Sequence, residues 1–281
     1  MKKLNKEIIK QIISLMFMLL GRFKVGQFIY EQFIDVIIKR TELVEHKGTK
    51  LVLSTPNGLT RYRADSFSSK EPETLDWLDG IPENSVLWDI GANVGLYTCY
   101  AAKKLNCRVF AFEPSVFNLE VLARNIHLNL LSDLVTIIPL PLSSELSINK
   151  LNMTSTSWGG AMSTFGESYG HDGNDIDKEF VLPVIGLSMS DASYYLGIPQ
   201  PDYIKMDVDG IEHLILKGGK PILEKAKGII IEINDGFKIQ ADDASKYLLD
   251  AGFELKQKLH AEIYDSVESS ARDTYNQIWV K

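Results

Sequence analysis

Residues 86–98 read Val86-Leu87-Trp88-Asp89-Ile90-Gly91-Ala92-Asn93-Val94-Gly95-Leu96-Tyr97-Thr98. Val86, Leu87 and Ile90 suit a strand covered on both faces. Gly91 and Gly95 permit a tight turn and a close backbone approach, and the residues after them predict a helix. Asp89 stands at the C-terminal end of the strand, where open α/β sheets bind ligands at a reversal of strand order.

The pattern continues on the C-terminal side. Arg108-Val109-Phe110-Ala111-Phe112 predicts a buried strand ending at Glu113-Pro114, followed by a helix over 118–129 and a strand over 135–138. A further strand ends near Asp207, a helix starts near Gly210, and residues 228–233 form another strand with Glu232 at its end. Alternation of strand and helix argues for an α/β, doubly wound, mostly parallel sheet. Residues 141–178 are the least regular stretch and read as a lid, a substrate wall or a disordered loop. On the N-terminal side, Pro56-Asn57-Gly58 between the β-prone runs 50–54 and 59–63 predicts a hairpin. Pro72 and Gly80 bracket a short helix.

The chain has 281 residues and a net charge of −7, which argues against nucleic acid as a partner. Cys99 and Cys107 lie in apolar stretches and read as buried small hydrophobes in a reducing, cytoplasmic setting. No cysteine–histidine spacing suits zinc. The uncharged run from Gln11 to Gly21 is too short to span a membrane. Residues 1–45 therefore read as a helical extension before a domain over 46–281. It packs on that domain, packs on another subunit of a homo-oligomer, or lays residues 1–40 on a membrane surface.

Spacing narrows the ligand. A dinucleotide site needs a glycine at position 93, and a phosphate loop needs Gly-Lys-Ser/Thr; neither is present. A ligand with a cationic end and a ribose diol suits the acids better. Asp89 could attract the cation, and Glu113, at the end of the next strand, could accept both ribose hydroxyls. S-adenosylmethionine has this chemistry. A nicotinamide-dependent oxidoreductase on the same fold, and a non-catalytic adenosyl-ligand-binding module, are the alternatives.

Asp89-Ile90-Gly91-Ala92-Asn93-Val94-Gly95 with Phe112-Glu113-Pro114 resembles class I S-adenosylmethionine-dependent methyltransferases. Asn118, Asn125, Asn129 and the stretch Tyr203-Ile204-Lys205-Met206-Asp207-Val208-Asp209-Gly210-Ile211-Glu212 narrow the resemblance to the FkbM family. It implies a seven-stranded Rossmann-like sheet with an antiparallel last strand. It also implies methyl transfer, usually to a hydroxyl oxygen, with a sugar, glycan or secondary metabolite as acceptor. Carried onto this chain, the cofactor-binding residues are Asp89, Gly91, Ala92, Asn93, Gly95, Glu113, Pro114, Asn118 and Asp207. Pro141-Leu142-Ser143-Ser144 departs from the family's usual Ala-Leu-Ser-Asp, so Leu142 and Ser143 are assigned the adenine contact by position.

The acceptor needs alignment and loss of a proton. Candidate catalytic groups are Asp207, Asp209, Glu212, Glu232 and His213. A second reading has Asp207 and Glu232 hold a divalent ion such as magnesium. A third has Asp209 and Glu212 favour a helix N-terminus while Lys205 pairs with an acid. Trp158, Tyr169 and His171 are candidate walls for the acceptor.

Overall fold

The computed structural model describes residues 3–260 and 273–281. Helices α1 (Lys3–Leu20) and α2 (Lys24–Ile38) fold back on one another, with Phe17 against Tyr30 and Phe33. The helical part of the anticipated 1–45 extension ends at Ile38, because Thr41 already pairs in a strand. No helix among the described residues is long and apolar enough to cross a membrane.

Strands β1 (Thr41–His46) and β2 (Thr49–Ser54) form an antiparallel hairpin. Its turn is Lys47-Gly48, both at positive φ (45° and 83°), the geometry that suits a tight hairpin. The hairpin expected at Asn57-Gly58 is not formed. Asn57 instead caps helix α3 (Gly58–Asp65), accepting from the Thr60 amide at 2.8 Å while the Thr60 hydroxyl accepts from the Asn57 amide. A reciprocal cap of this kind offers Asn-Gly an alternative to a turn. Helix α4 (Pro72–Asp79) follows, with Gly80 at its C-cap as expected.

The remaining elements build the sheet and its covering layers. They are β3 (Val86–Ile90), α5 (Leu96–Leu105), β4 (Arg108–Phe112), α6 (Val116–Leu128) and β5 (Val135–Ile138), then β6 (Ser147–Met153), β7 (Ser163–Phe165), β8 (Phe180–Gly186) and α7 (Met189–Leu196). After these come β9 (Tyr203–Met206), α8 (Glu212–Lys217), α9 (Lys220–Leu223), β10 (Gly228–Asn234), α10 (Lys238–Asp250), β11 (Glu254–Leu259) and β12 (Thr274–Val280). The main sheet has the order β11-β12-β10-β9-β3-β4-β5, parallel from β10 to β5, with β12 antiparallel to both its neighbours. The chain builds outward from β3 in one direction and returns to its other side with β9, so strand order reverses between β3 and β9.

Alternation along each strand feeds two cores. Trp88, Ile90, Phe110, Phe112, Ile204 and Met206 enter one; Leu87, Val109 and Ala111 enter the other. The stretch 141–178 is more ordered than its sequence suggests. It carries β6 and β7, which form a three-stranded antiparallel sheet with β8 beside the strand ends.

Candidate active site

Two adjoining cavities open at the reversal between β3 and β9. The larger, about 350 Å³, is lined by Glu113, Pro114, Asn118 and Leu142 from the β4–β5 side and by Asp207, Asp209 and Glu232 from the β9–β10 side. The smaller, about 50 Å³, lies over the start of α5 and is lined by Ala92, Tyr97, Lys205 and Glu71. Arg63, Lys70, Gly91, Asn93 and Asp207 border both.

The glycine turn is closed on itself. Gly91 and Ala92 amides donate to the Phe112 carbonyl at 3.0 Å each, and the Asn93 amide donates to Glu113 Oε2 at 2.7 Å. The Val94 amide donates to Asn93 Oδ1 at 2.9 Å and the Gly95 amide to the Ala92 carbonyl at 2.8 Å. Five consecutive N–H groups are thus engaged within the chain, which leaves no amide cradle for a phosphate. Gly91 (φ 82°) is required because a Cβ there would collide with the Asp207 carbonyl. Gly95 (φ 81°) lies against Leu122 of α6 and serves helix packing; it lines neither cavity.

Glu113 is buried, and its second oxygen accepts from the Ser115 amide at 2.8 Å. Burial pushes its pKa up to about 7 against the pull of the Ser115 and Asn93 amides. Each carboxylate oxygen keeps a further lone pair for a hydroxyl donor. Asn118 lines the same end, but its amide is tied to the β6–β7 loop: Nδ2 donates to the Gly160 carbonyl at 3.0 Å and Oδ1 accepts from Gly159 at 3.0 Å. Leu142 faces the cavity. Ser143 does not line it, and its amide donates to Leu187 at 2.7 Å.

Asp89 does not face either cavity. It pairs in register with Lys205 on the adjacent parallel strand, and both side chains point to the same face. Asp89 accepts from the Thr98 hydroxyl and lies 3.4 Å from the Lys205 ammonium, with 1% of its surface exposed. Lys205 also donates to the Gly91 carbonyl at 3.1 Å and sits 3.4 Å from Asp207. Burial works against its charge, but Asp207 and Asp89 hold it protonated. The cation expected to be drawn by Asp89 from a ligand is therefore supplied by Lys205.

The acids at the ends of β9 and β10 differ in state. Burial raises Asp207, but Lys205 and Lys70 outweigh it and keep its carboxyl below the usual range. Burial, and then the charge of Asp207, raise Asp209, whose Oδ2 accepts from the Met162 amide at 2.7 Å. Burial, followed by Asp207, Glu71 and Asp209, pushes Glu232 well up. Glu212 is not in the cavity. Its oxygens accept from the Val208 and Gly210 amides at 3.0 Å each and from Gln240, so it braces the turn after β9. His213 is buried behind it against Phe237, at 5.9 Å between rings. Both are removed from the reacting region, for the same reason: α8 turns these side chains back into the protein. Among the described residues no group of three or more His, Cys, Asp or Glu is arranged to hold a metal ion.

Of the three anticipated wall residues, His171 lines the larger cavity. Trp158 donates to Glu120 at 3.0 Å and pins the loop to α6. Tyr169 packs on Phe237. Arg63 and Lys70 carry no motif in the sequence, yet both border the two cavities. Arg63 Nε donates to the Gly159 carbonyl at 2.8 Å, and its guanidinium makes no ion pair among the described residues.

Strand order, the antiparallel β12 and the acid at the end of β4 define a class I S-adenosylmethionine-dependent methyltransferase with a Rossmann-like fold. The chain belongs to the family of the methyltransferase FkbM domain, whose sequence profile matches residues 89–255. It is 29% identical over 177 residues to the hexuronic acid methyltransferase AglP of Haloferax volcanii, covering 62% of this chain and 65% of that protein. It is 25% identical to the methyltransferase sdnD of Sordaria araneosa, covering 54% of this chain and 67% of that protein. The chain thus spans about two thirds of the length of these relatives. Fibrillarin of Aeropyrum pernix, solved with bound S-adenosyl-L-methionine, is similar at 11% identity and a TM-score of 0.47, covering 87% of this chain and 84% of that one.

Proposed function

We propose that this protein transfers a methyl group to a hydroxyl oxygen of a sugar, glycan or related small molecule. The observation that carries the reading is one continuous cavity with Glu113 at one end and Asp207, Asp209 and Glu232 at the other. Residues 46–281 hold the cavity-lining side chains, and helices α1 and α2 are an appendage to them. The hexuronic acid named for the AglP relative supports a sugar acceptor.

The residues present suit the methyl donor. Glu113 offers lone pairs to a ribose diol, Pro114 and Leu142 offer apolar walls to a purine, and Asp207 with Arg63 offers opposite charges to an amino acid end. When bound, S-adenosylmethionine supplies a methyl group made electrophilic by its sulfonium. Glu232 accepts the proton of the acceptor hydroxyl as the new carbon–oxygen bond forms. Burial raises the pKa of that carboxyl, which strengthens it as a base, and a cation beside it favours the ionised form that accepts the proton. The loop over Gly160, Ala161 and Met162, with Phe165, screens the cavity from water.

The test is transfer of isotopically labelled methyl from the donor to a panel of sugars and uronic acids, with the linkage read by NMR. Label on oxygen, with turnover about 10²-fold lower or worse in Glu232→Gln, is expected. Label on nitrogen or carbon, or wild-type turnover in Glu232→Gln, refutes the reading.

A further inference from the structure

The α1–α2 hairpin presents an apolar surface that nothing among the described residues covers. On α1, Ile8, Ile12, Leu15 and Leu19 recur at helical spacing on one side, with Glu7, Lys10 and Ser14 opposite. On α2, Val25, Ile29, Phe33 and Val36 do the same, with Lys24, Glu31 and Asp35 opposite. These apolar side chains are exposed: Ile12 61%, Val25 72% and Val36 69%. The aromatic contacts of Phe17 with Tyr30 and Phe33 hold the two helices together and leave this surface outward. Exposed apolar side chains thus run along both helices, a pattern that marks an interaction surface.

Charge decides between possible occupants. Residues 1–40 contain eight Lys or Arg and three Asp or Glu, a net charge of +5, while the other residues of the chain carry −12. Two hairpins facing each other would set +5 against +5. An anionic lipid surface attracts the hairpin and repels the remainder, which favours contact through the hairpin alone. Neither helix is long and apolar enough to span a bilayer. Amphipathic helices of this kind lie along the interface, apolar side toward the acyl chains.

We propose that the α1–α2 hairpin docks the protein peripherally on an anionic membrane. The reading is independent of the acceptor. Flotation of the full chain with phosphatidylcholine vesicles, and with vesicles rich in phosphatidylglycerol, tests it. Binding to the anionic vesicles at low salt is expected, weaker by about tenfold or more on neutral vesicles or at high salt. Ile12→Ser with Val36→Ser should reduce flotation by about tenfold or more. Both positions are exposed, so the thermal midpoint and binding of S-adenosylhomocysteine should stay at wild-type values. Absence of flotation with anionic vesicles overturns the proposal, as does full retention by the double variant. A stable dimer that ignores vesicles overturns it in favour of a second copy.

Discussion

A side chain on Gly91 would run into the carbonyl oxygen of Asp207. The collision is backbone against side chain, and the Gly91 φ of 82° adds strain for any L-residue. Gly91→Ala should cost about 3 kcal/mol or more in urea unfolding. At Gly95 the obstacle is the flexible Leu122 side chain. Gly95→Ala should therefore be partly rescued by Leu122→Ala, whereas no side-chain truncation rescues Gly91→Ala.

Cofactor affinity should follow the ionisation of Glu113. Its folded pKa of about 7 lies above the ordinary glutamate value, so the ligand-free fold holds a proton that the unfolded chain has lost. The contribution of Glu113 to stability is fully present below about 4.5 and falls as pH rises to about 7. Ribose hydroxyls donate to the ionised form. Affinity for S-adenosylhomocysteine should be greatest above about pH 7 and fall by up to about tenfold per unit below it. Calorimetry across this range should show the slope in the wild type and a shallower one in Glu113→Gln.

Glu212 serves the fold. Removing its carboxylate leaves the Val208 and Gly210 amides unpaired in a buried turn. Glu212→Ala should destabilise the protein by about 2–4 kcal/mol. A variant with wild-type melting but abolished turnover would instead make Glu212 a catalytic group.

Arg63 and Asp207 should distinguish ligands by their amino acid end. Arg63→Gln should weaken S-adenosylhomocysteine by about tenfold or more, while methylthioadenosine, which lacks that end, binds as to the wild type. Competition calorimetry with both ligands measures the ratio. An unchanged ratio removes Arg63 from the site.

The sequence displays the sheet through β3, β4, β9 and β10, because buried parallel strands are short apolar runs with glycines and acids at fixed ends. Cross-strand neighbours are invisible to that reading. Nothing local to Asp89 says that β9 lies beside β3 in a register that sets Lys205 against it. Strand β6 escapes because Asn149, Lys150 and Asn152 interrupt its apolar pattern, and β8 because Pro183 argues against a strand unless it lies at an edge, as β8 does. Asn-Gly between β-prone runs points to a turn, and the reciprocal Asn57–Thr60 cap overrides it in the folded chain. Arg63 reaches the site from α3, far from any motif.

Strand β12 lies between β10 and β11 in the finished sheet. While the chain is being synthesised, β10 is made long before residues 274–280 emerge. Its edge, which carries Ile229, Ile230, Ile231 and Ile233, therefore waits unpaired on the ribosome, and β11 has no strand to join. An open edge of that composition is a template for intermolecular pairing. Recombinant yield should thus depend on shielding by chaperones during translation more than on the stability of the completed fold.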